Sequence, residues 1–204
     1  MAGRDPSTQV RRDRNDLVTG VIVGAVAVGL LSFDAVQRIL VLFGTPGAVT
    51  VSTRVPAQEY TALIGPGTPA VVETATLTAT DVNTISVVSL VVAIMLRSLC
   101  LIAAATLSVM VCLRLLRGVV FDRVNSGLTF AVSMSLMLAG LLGPWFENMG
   151  LNGVFAALGG DFGDGRWLLF RDGIPLYIAA IAVGVLVIVF RRGADLQKDT
   201  EGLV

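Results

Sequence analysis

Four stretches of this chain are apolar and long enough to cross a lipid bilayer, and no other feature constrains its fold as strongly. They run from Leu17 to Phe43, from about Ile85 to Leu116, from Gly127 to about Phe146, and from about Ile174 to Phe190. A hydrocarbon core about 30 Å thick needs about 20 residues of helix. Backbone polar groups in lipid must bond within their own segment, so each stretch is predicted to be a helix. Only 15% of the residues are charged and 54% are hydrophobic, against about 25% charged in soluble domains. A cytosolic enzyme, a DNA-binding domain and a secreted disulfide scaffold are all excluded. The predicted fold class is an all-α membrane protein, a four-helix transmembrane bundle with a small extracytoplasmic β-containing cap. Residues 1–204 form a single membrane domain.

Arginine placement sets the expected orientation, because basic residues collect on the cytoplasmic side. Arg4, Arg11, Arg12 and Arg14 precede the first span, Arg114, Arg117 and Arg123 lie between the second and third, and Arg191 and Arg192 follow the fourth. The loop 44–84 has Arg54 against Glu59, Glu73 and Asp81, and the loop 147–173 has Arg166 and Arg171 against Glu147, Asp161, Asp164 and Asp172. The signs alternate without conflict. Both termini are therefore expected in the cytoplasm and the chain in the cell membrane. The first apolar run exceeds the roughly 7–15 residues of a signal-peptide core and reads as an uncleaved anchor. The polar ends, Met1–Asp13 and from Lys198 on, read as disordered.

The fifteen basic and fifteen acidic residues cancel, so no net field draws nucleic acid. The chain has no histidine, which removes the commonest general base and metal ligand. Cys100 and Cys112 stand about 18 Å apart along one helix, too far for a disulfide with each other. They read as small apolar helix residues. No catalytic, cofactor-binding or metal-ligating residue is predicted.

The first outer loop carries a strand pattern. Val49, Val51, Thr53 and Val55 alternate with Thr50, Ser52 and Arg54, and Glu73, Ala75, Leu77 and Ala79 alternate with a run of threonines. β-Branched residues at period two favour strands. Gly65-Pro66-Gly67-Thr68-Pro69 marks the turn. Two or three strands without a disulfide hold little core of their own. They are expected to lean on the second outer loop and the helix ends as one composite cap. In that second loop Val154–Leu158 reads as a short interfacial piece, flanked by Trp145 and Trp167 at aromatic-belt depth.

Asp34, Arg38 and Arg97 interrupt the apolar runs. Charges in a span face the protein interior and pair. Asp34 lies about 25 Å above Leu17, and Arg97 about 24 Å above Leu113, at the helical rise. The matching depths predict an Asp34–Arg97 ion pair that fixes helix register, with Arg38 one turn above Asp34 sharing the carboxylate or reaching toward headgroups. A carboxylate held by arginines suits a fixed charge better than a proton carrier. Gly20, Gly24 and Gly29, the group Ala139, Gly140 and Gly143, and the pair Ala180 and Gly184 are small residues that allow close helix approach. They are assigned to packing within the chain, with contacts between copies in a homo-oligomer as the alternative.

Asp161-Phe162-Gly163 matches the kinase metal-binding triplet, but the rest of that motif set is missing. The surrounding Gly159–Gly165 reads as a turn-rich loop rather than a calcium repeat. No Walker sequence, G-x-S-x-G or G-x-G-D occurs.

The inner loop, Arg114 to Gly127, is the most distinctive cytoplasmic segment. Gly118 is placed to end the second helix in a C-cap, and Asn125 or Ser126 to cap the third. Phe121 and Val120 are placed to dip into the interface while the arginines meet anionic headgroups. A basic loop that only sets orientation is the simpler account. Arg114, Gly118, Phe121 and Asn125, with Arg117 between them, follow a Leu-Arg-x-x-x-Gly-x-x-Phe order and a later Asn. In this loop and in its four-span layout the chain resembles the bacterial domain of unknown function 2975 group of small membrane proteins. Arginine where that group often has lysine and the glycine-rich second outer loop depart from it. The resemblance implies architecture and no chemistry.

Three functions compete on these observations. The first is a non-enzymatic multi-pass membrane protein, acting through a membrane-protein partner as accessory subunit, sensor or regulator. The second is a small oligomeric transporter or channel using Asp34 and Arg97. The third is a membrane enzyme using the interfacial acids Glu147 and Asp172, beside which no nucleophile is evident.

Overall fold

The computed structural model describes residues 6–61, 69–163 and 165–201, with side chains from 11–55, 71–163 and 165–196. Four long helices and one hairpin follow in the order α1 (Pro6–Leu42), β1 (Ala48–Thr61), β2 (Pro69–Thr80), α2 (Thr84–Leu116), α3 (Arg123–Ala157) and α4 (Gly165–Glu201). All four helices are long and apolar enough to cross a membrane.

The helix ends depart from expectation. α1 is already helical at Pro6, where proline is preorganised for a first turn, and α4 continues to Glu201. Helix thus extends over most of both polar ends expected to be disordered. Residues 1–5 and 202–204 lie outside the described residues. α3 runs to Ala157 and α4 starts at Gly165, so most of the expected loop 147–173 is helical. Val154–Ala157 forms the last turn of α3 rather than a separate piece, and Val154 is fully buried. Pro144 and Pro175 both sit inside helices.

Glycine stops α3 where the loop was expected to be under way. Gly159 has φ +75°. Its N–H donates to the Ala156 carbonyl, and the Gly160 N–H donates to the Phe155 carbonyl. This is a Schellman ending, which needs a left-handed residue at that point. α2 starts with the Asn83 side chain accepting from the Ser86 N–H at 2.8 Å, a helix N-cap.

The chain forms two compact units. Residues 1–33, 98–139 and 176–204 make the first, and residues 34–97 and 140–175 the second. Both termini and the α2–α3 connection belong to the first, whereas the hairpin and the α3–α4 connection belong to the second.

In the first unit, small residues bring helices together. A Cβ at Gly24 would stand 2.4 Å from the Val109 side chain, and one at Gly20 would stand 3.4 Å from the Cys112 sulfur. α1 therefore rests its glycines on α2. Ala139 and Ala180 are wholly buried, and the Ser133 hydroxyl donates to the Ala180 carbonyl at 2.7 Å, tying α3 to α4. A polar link of this kind has no water to compete with it in an apolar setting.

In the second unit, the hairpin is antiparallel, with Val49 opposite Ala79, Val51 opposite Leu77 and Thr53 opposite Ala75. Alternation puts these six on one face and Thr50, Ser52, Thr74, Thr76, Thr78 and Thr80 on the other. Val49, Val51 and Ala79 join Leu42, Leu90, Leu151, Val154, Phe162 and Leu169 in one buried apolar cluster. Two strands do lean on helix ends and on the α3–α4 loop, as a small sheet without its own core must. The turn expected at Gly65–Pro69 lies outside the described residues, apart from Pro69 at the start of β2. α2 and α3 approach closely here, since a Cβ at Gly153 would fall 2.4 Å from the Ser86 Cβ.

Candidate functional site

Of the charged residues singled out in the spans, Arg38 takes the Asp34 carboxylate, one of its two expected roles, whereas Arg97 pairs elsewhere. Asp34 accepts from Arg38 Nε at 2.7 Å, one turn along α1. Both side chains are about half exposed. Arg97 does not reach Asp34. Its guanidinium faces Glu147 at 4.0 Å. The Asp34–Arg97 pair is therefore replaced by Arg97–Glu147. Gly143 explains the choice: a Cβ there would lie 3.2 Å from the Arg97 Cβ and 3.5 Å from its Cγ and Cδ. The arginine stem lies on the bare backbone of Gly143, and Glu147 stands one helical turn further on the same face.

The hairpin is fastened by a second arginine. Arg54 on β1 bonds Asp172 on α4 at 2.8 Å and faces Glu73 on β2 at 4.0 Å. Asp172 and Glu147, the two acids considered for catalysis, are thus each matched to an arginine. The sequence contained the residues but not their partners, because α3 was expected to end before Glu147.

The inner loop holds a connected polar cluster in the first unit. α2 ends in a second Schellman turn: Gly118 has φ +79°, its N–H donates to Leu115, and the Val119 N–H donates to the Arg114 carbonyl. Gly118 is the expected C-cap. Asn125 does not cap α3, which begins two residues earlier at Arg123 with Asp122 as its flanking residue. Instead its side chain folds back under the loop. Asn125 is completely buried. Its Nδ2 donates to the carbonyls of Val119 at 2.8 Å and Val120 at 3.0 Å. Its Oδ1 accepts from Arg114 Nε at 2.7 Å. The other side of the Arg114 fork is held by Asp122. One buried amide thus satisfies two loop carbonyls and orients an arginine.

Arg117 and Phe121 turn away from this knot and are exposed. The Phe121 ring stands 6.4 Å from Phe190 on α4. It also occupies the space a Cβ at Gly193 would need, 2.3 Å from that position. The role of Gly193 as the seat of Phe121 had no signal in the sequence beyond a glycine in a polar helical end. Elsewhere, Gly163 N–H donates to Asp161 Oδ1 at 2.9 Å, which makes the Asp161-Phe162-Gly163 triplet a turn with Phe162 buried in the apolar cluster. Among the described residues, no three Cys, Asp or Glu side chains gather into a set able to hold a metal ion.

Comparison with family models, curated proteins and solved structures finds no match.

Proposed function

We propose that this chain is a non-enzymatic multi-pass membrane protein of the cell membrane that acts through protein contacts, as an accessory subunit, sensor or regulator. The observation that carries the reading is the hairpin. Its inner face is committed to the apolar cluster through Val49, Val51 and Ala79. Its other face carries Thr50, Ser52, Thr74, Thr76, Thr78 and Thr80, nearly all exposed. The sheet has only two strands among the described residues, so each strand has an open edge. Open edges are templates for an added strand, and peptide recognition often works this way. Anchoring through Arg54–Asp172 holds the strands in place for such a contact.

Charge supports the orientation. The first unit carries ten basic and seven acidic residues, and the second five and eight. On the positive-inside rule both termini and the α2–α3 connection are cytoplasmic and the hairpin is extracytoplasmic. Each interfacial acid is matched to an arginine rather than to a nucleophile, which suits a structural role. The four-span layout keeps the likeness to the domain of unknown function 2975 group as part of this proposal.

The test is a photo-crosslinking amino acid placed at Ser52 or Thr76 in the source cell. One discrete cross-linked membrane protein is expected from the hairpin positions and not from Val185 on α4. Equal, diffuse labelling from all three positions would refute the reading. A second reading, a small oligomeric transporter or channel, draws on the partly buried Arg97–Glu147 pair. Proteoliposome flux that is lost in Glu147→Gln and kept in Asp81→Asn would favour it.

A further inference from the structure

We propose that the α2–α3 loop and the last turns of α4 together form a binding site for the phosphate headgroup of an anionic phospholipid. The inference rests on the membrane reading above and goes beyond it. Four consecutive or near-consecutive apolar residues in this loop are exposed: Val119 39%, Val120 41%, Phe121 43% and Val124 50%. Soluble loops are polar, so an apolar tip of this kind calls for an apolar environment next to it. Arg117 and Arg123 bracket Val119, Val120 and Phe121 in sequence, with Val124 next to Arg123, and both arginines are exposed. Arg114 is not available to a ligand, because Asp122 and Asn125 hold its fork.

Phe121 adds the second half of the site. Its ring lies against Phe190 and over the backbone of Gly193. Arg191 and Arg192 stand between those two residues in the chain and are exposed. Seating Phe121 against Phe190 and Gly193 sets the loop arginines at the level of Arg191 and Arg192, which flank that seat around α4. Arginine matches phosphate in charge and hydrogen-bond geometry. The exposed valines offer a surface for the upper acyl chain, and the buried Asn125 knot keeps the loop in one shape before the lipid arrives. Charge complementarity selects an anionic headgroup over a zwitterionic one.

The full chain in nanodiscs of equal phosphatidylglycerol and phosphatidylcholine, released into native mass spectrometry, tests this directly. Phosphatidylglycerol is expected to be retained in preference. At about fivefold per arginine, Arg117→Gln with Arg123→Gln should reduce that preference roughly twenty-fivefold, and so should Arg191→Gln with Arg192→Gln. The pairs are changed separately so that the remaining cytoplasmic arginines keep the orientation. Arg166→Gln with Arg171→Gln, two exposed arginines of the second unit, should change nothing. Gly193→Val keeps every charge but evicts the Phe121 ring, and should also lose the preference. Phe121→Ser, which creates no clash, gives the same readout if that variant fails to fold. Preference retained when Phe121 is displaced or removed, or lost equally in the Arg166 and Arg171 control, overturns the composite site. A chain that enters the bilayer without headgroup preference overturns this inference alone. A chain that stays out of the bilayer overturns it together with the membrane reading.

Discussion

Asn125→Ala is the sharpest test of how the first unit is held. The substitution removes three hydrogen bonds made by one buried side chain, two from Nδ2 to the Val119 and Val120 carbonyls and one accepted from Arg114 Nε. A bond to a charged group contributes about 1.5–3 kcal/mol and a neutral one about 1 kcal/mol. Val119 and Val120 are exposed residues, so water replaces part of what their carbonyls lose. Arg114 keeps Asp122. The expected loss is about 3 kcal/mol, within a range of about 2–4. Equilibrium unfolding by titration with a denaturing detergent measures it, followed by far-UV circular dichroism. Accessibility of Cys100 and Cys112 to a thiol reagent reports on the first unit, which contains both. Asn125→Asp separates the contributions. It keeps an acceptor for Arg114 but turns a carboxylate oxygen toward the two carbonyls, so it should be no more stable than Asn125→Ala. An Ala variant within about 0.5 kcal/mol of the parent, the range of ordinary surface changes, would refute the reasoning. An Asp variant that regains full stability would show that the Arg114 bond alone matters.

Other substitutions probe the packing and the ion pairs. Gly24→Leu drives a side chain into Val109, which stands 2.4 Å from the first added carbon, and should cost about 1–3 kcal/mol in the same titration. Gly29→Ala meets nothing within 4 Å and should be neutral or stabilising by up to about 1 kcal/mol. Equal destabilisation by both would refute the α1–α2 contact. A double-mutant cycle of Arg97→Met and Glu147→Gln should give a coupling above about 0.5 kcal/mol, whereas Arg97→Met with Asp34→Asn should be additive within that margin. The opposite ranking would restore the Asp34–Arg97 pair. Asp172→Asn should loosen the hairpin without unfolding the helices, seen as faster protease cleavage in the β1–β2 hairpin with unchanged circular dichroism. An unchanged cleavage rate would mean Arg54–Asp172 does not fasten it.

What could be read from the sequence follows from the range of each signal. Period-two alternation is local, so the sequence separates Val49, Val51 and Ala79 from the residues of the opposite face, while the cluster around Leu151 and Val154 on which they pack is not written there. Gly118 was legible as a C-cap for the same reason, since a Schellman turn is written in a few consecutive residues. Helix ends and ion pairs are not local in this sense. Gly150, Gly153 and the asparagines 148 and 152 fall in the stretch 147–173 that reads as a loop, yet Gly150 and Gly153 are the residues that let α3 lie against Leu90 and Ser86 of α2. Their small size serves interhelical contact rather than chain reversal.

Depth along a span can be counted from sequence, but the direction a side chain faces around the helix depends on how the helices dock. Asp34 and Arg97 were matched by depth alone. Two facts decide against them. Arg38 stands one turn from Asp34 on the same helix and can pair without any docking, so the local contact forms at the smaller entropic cost. Among the described residues of α1, Leu42 alone is buried, so most of this helix, Asp34 included, is turned away from the packed interior. Arg97 then takes the one acid that a bare glycine lets it reach. A charge in an apolar run was thus a sound pointer to a pair, and the partner was set by Gly143, a residue with no charge at all.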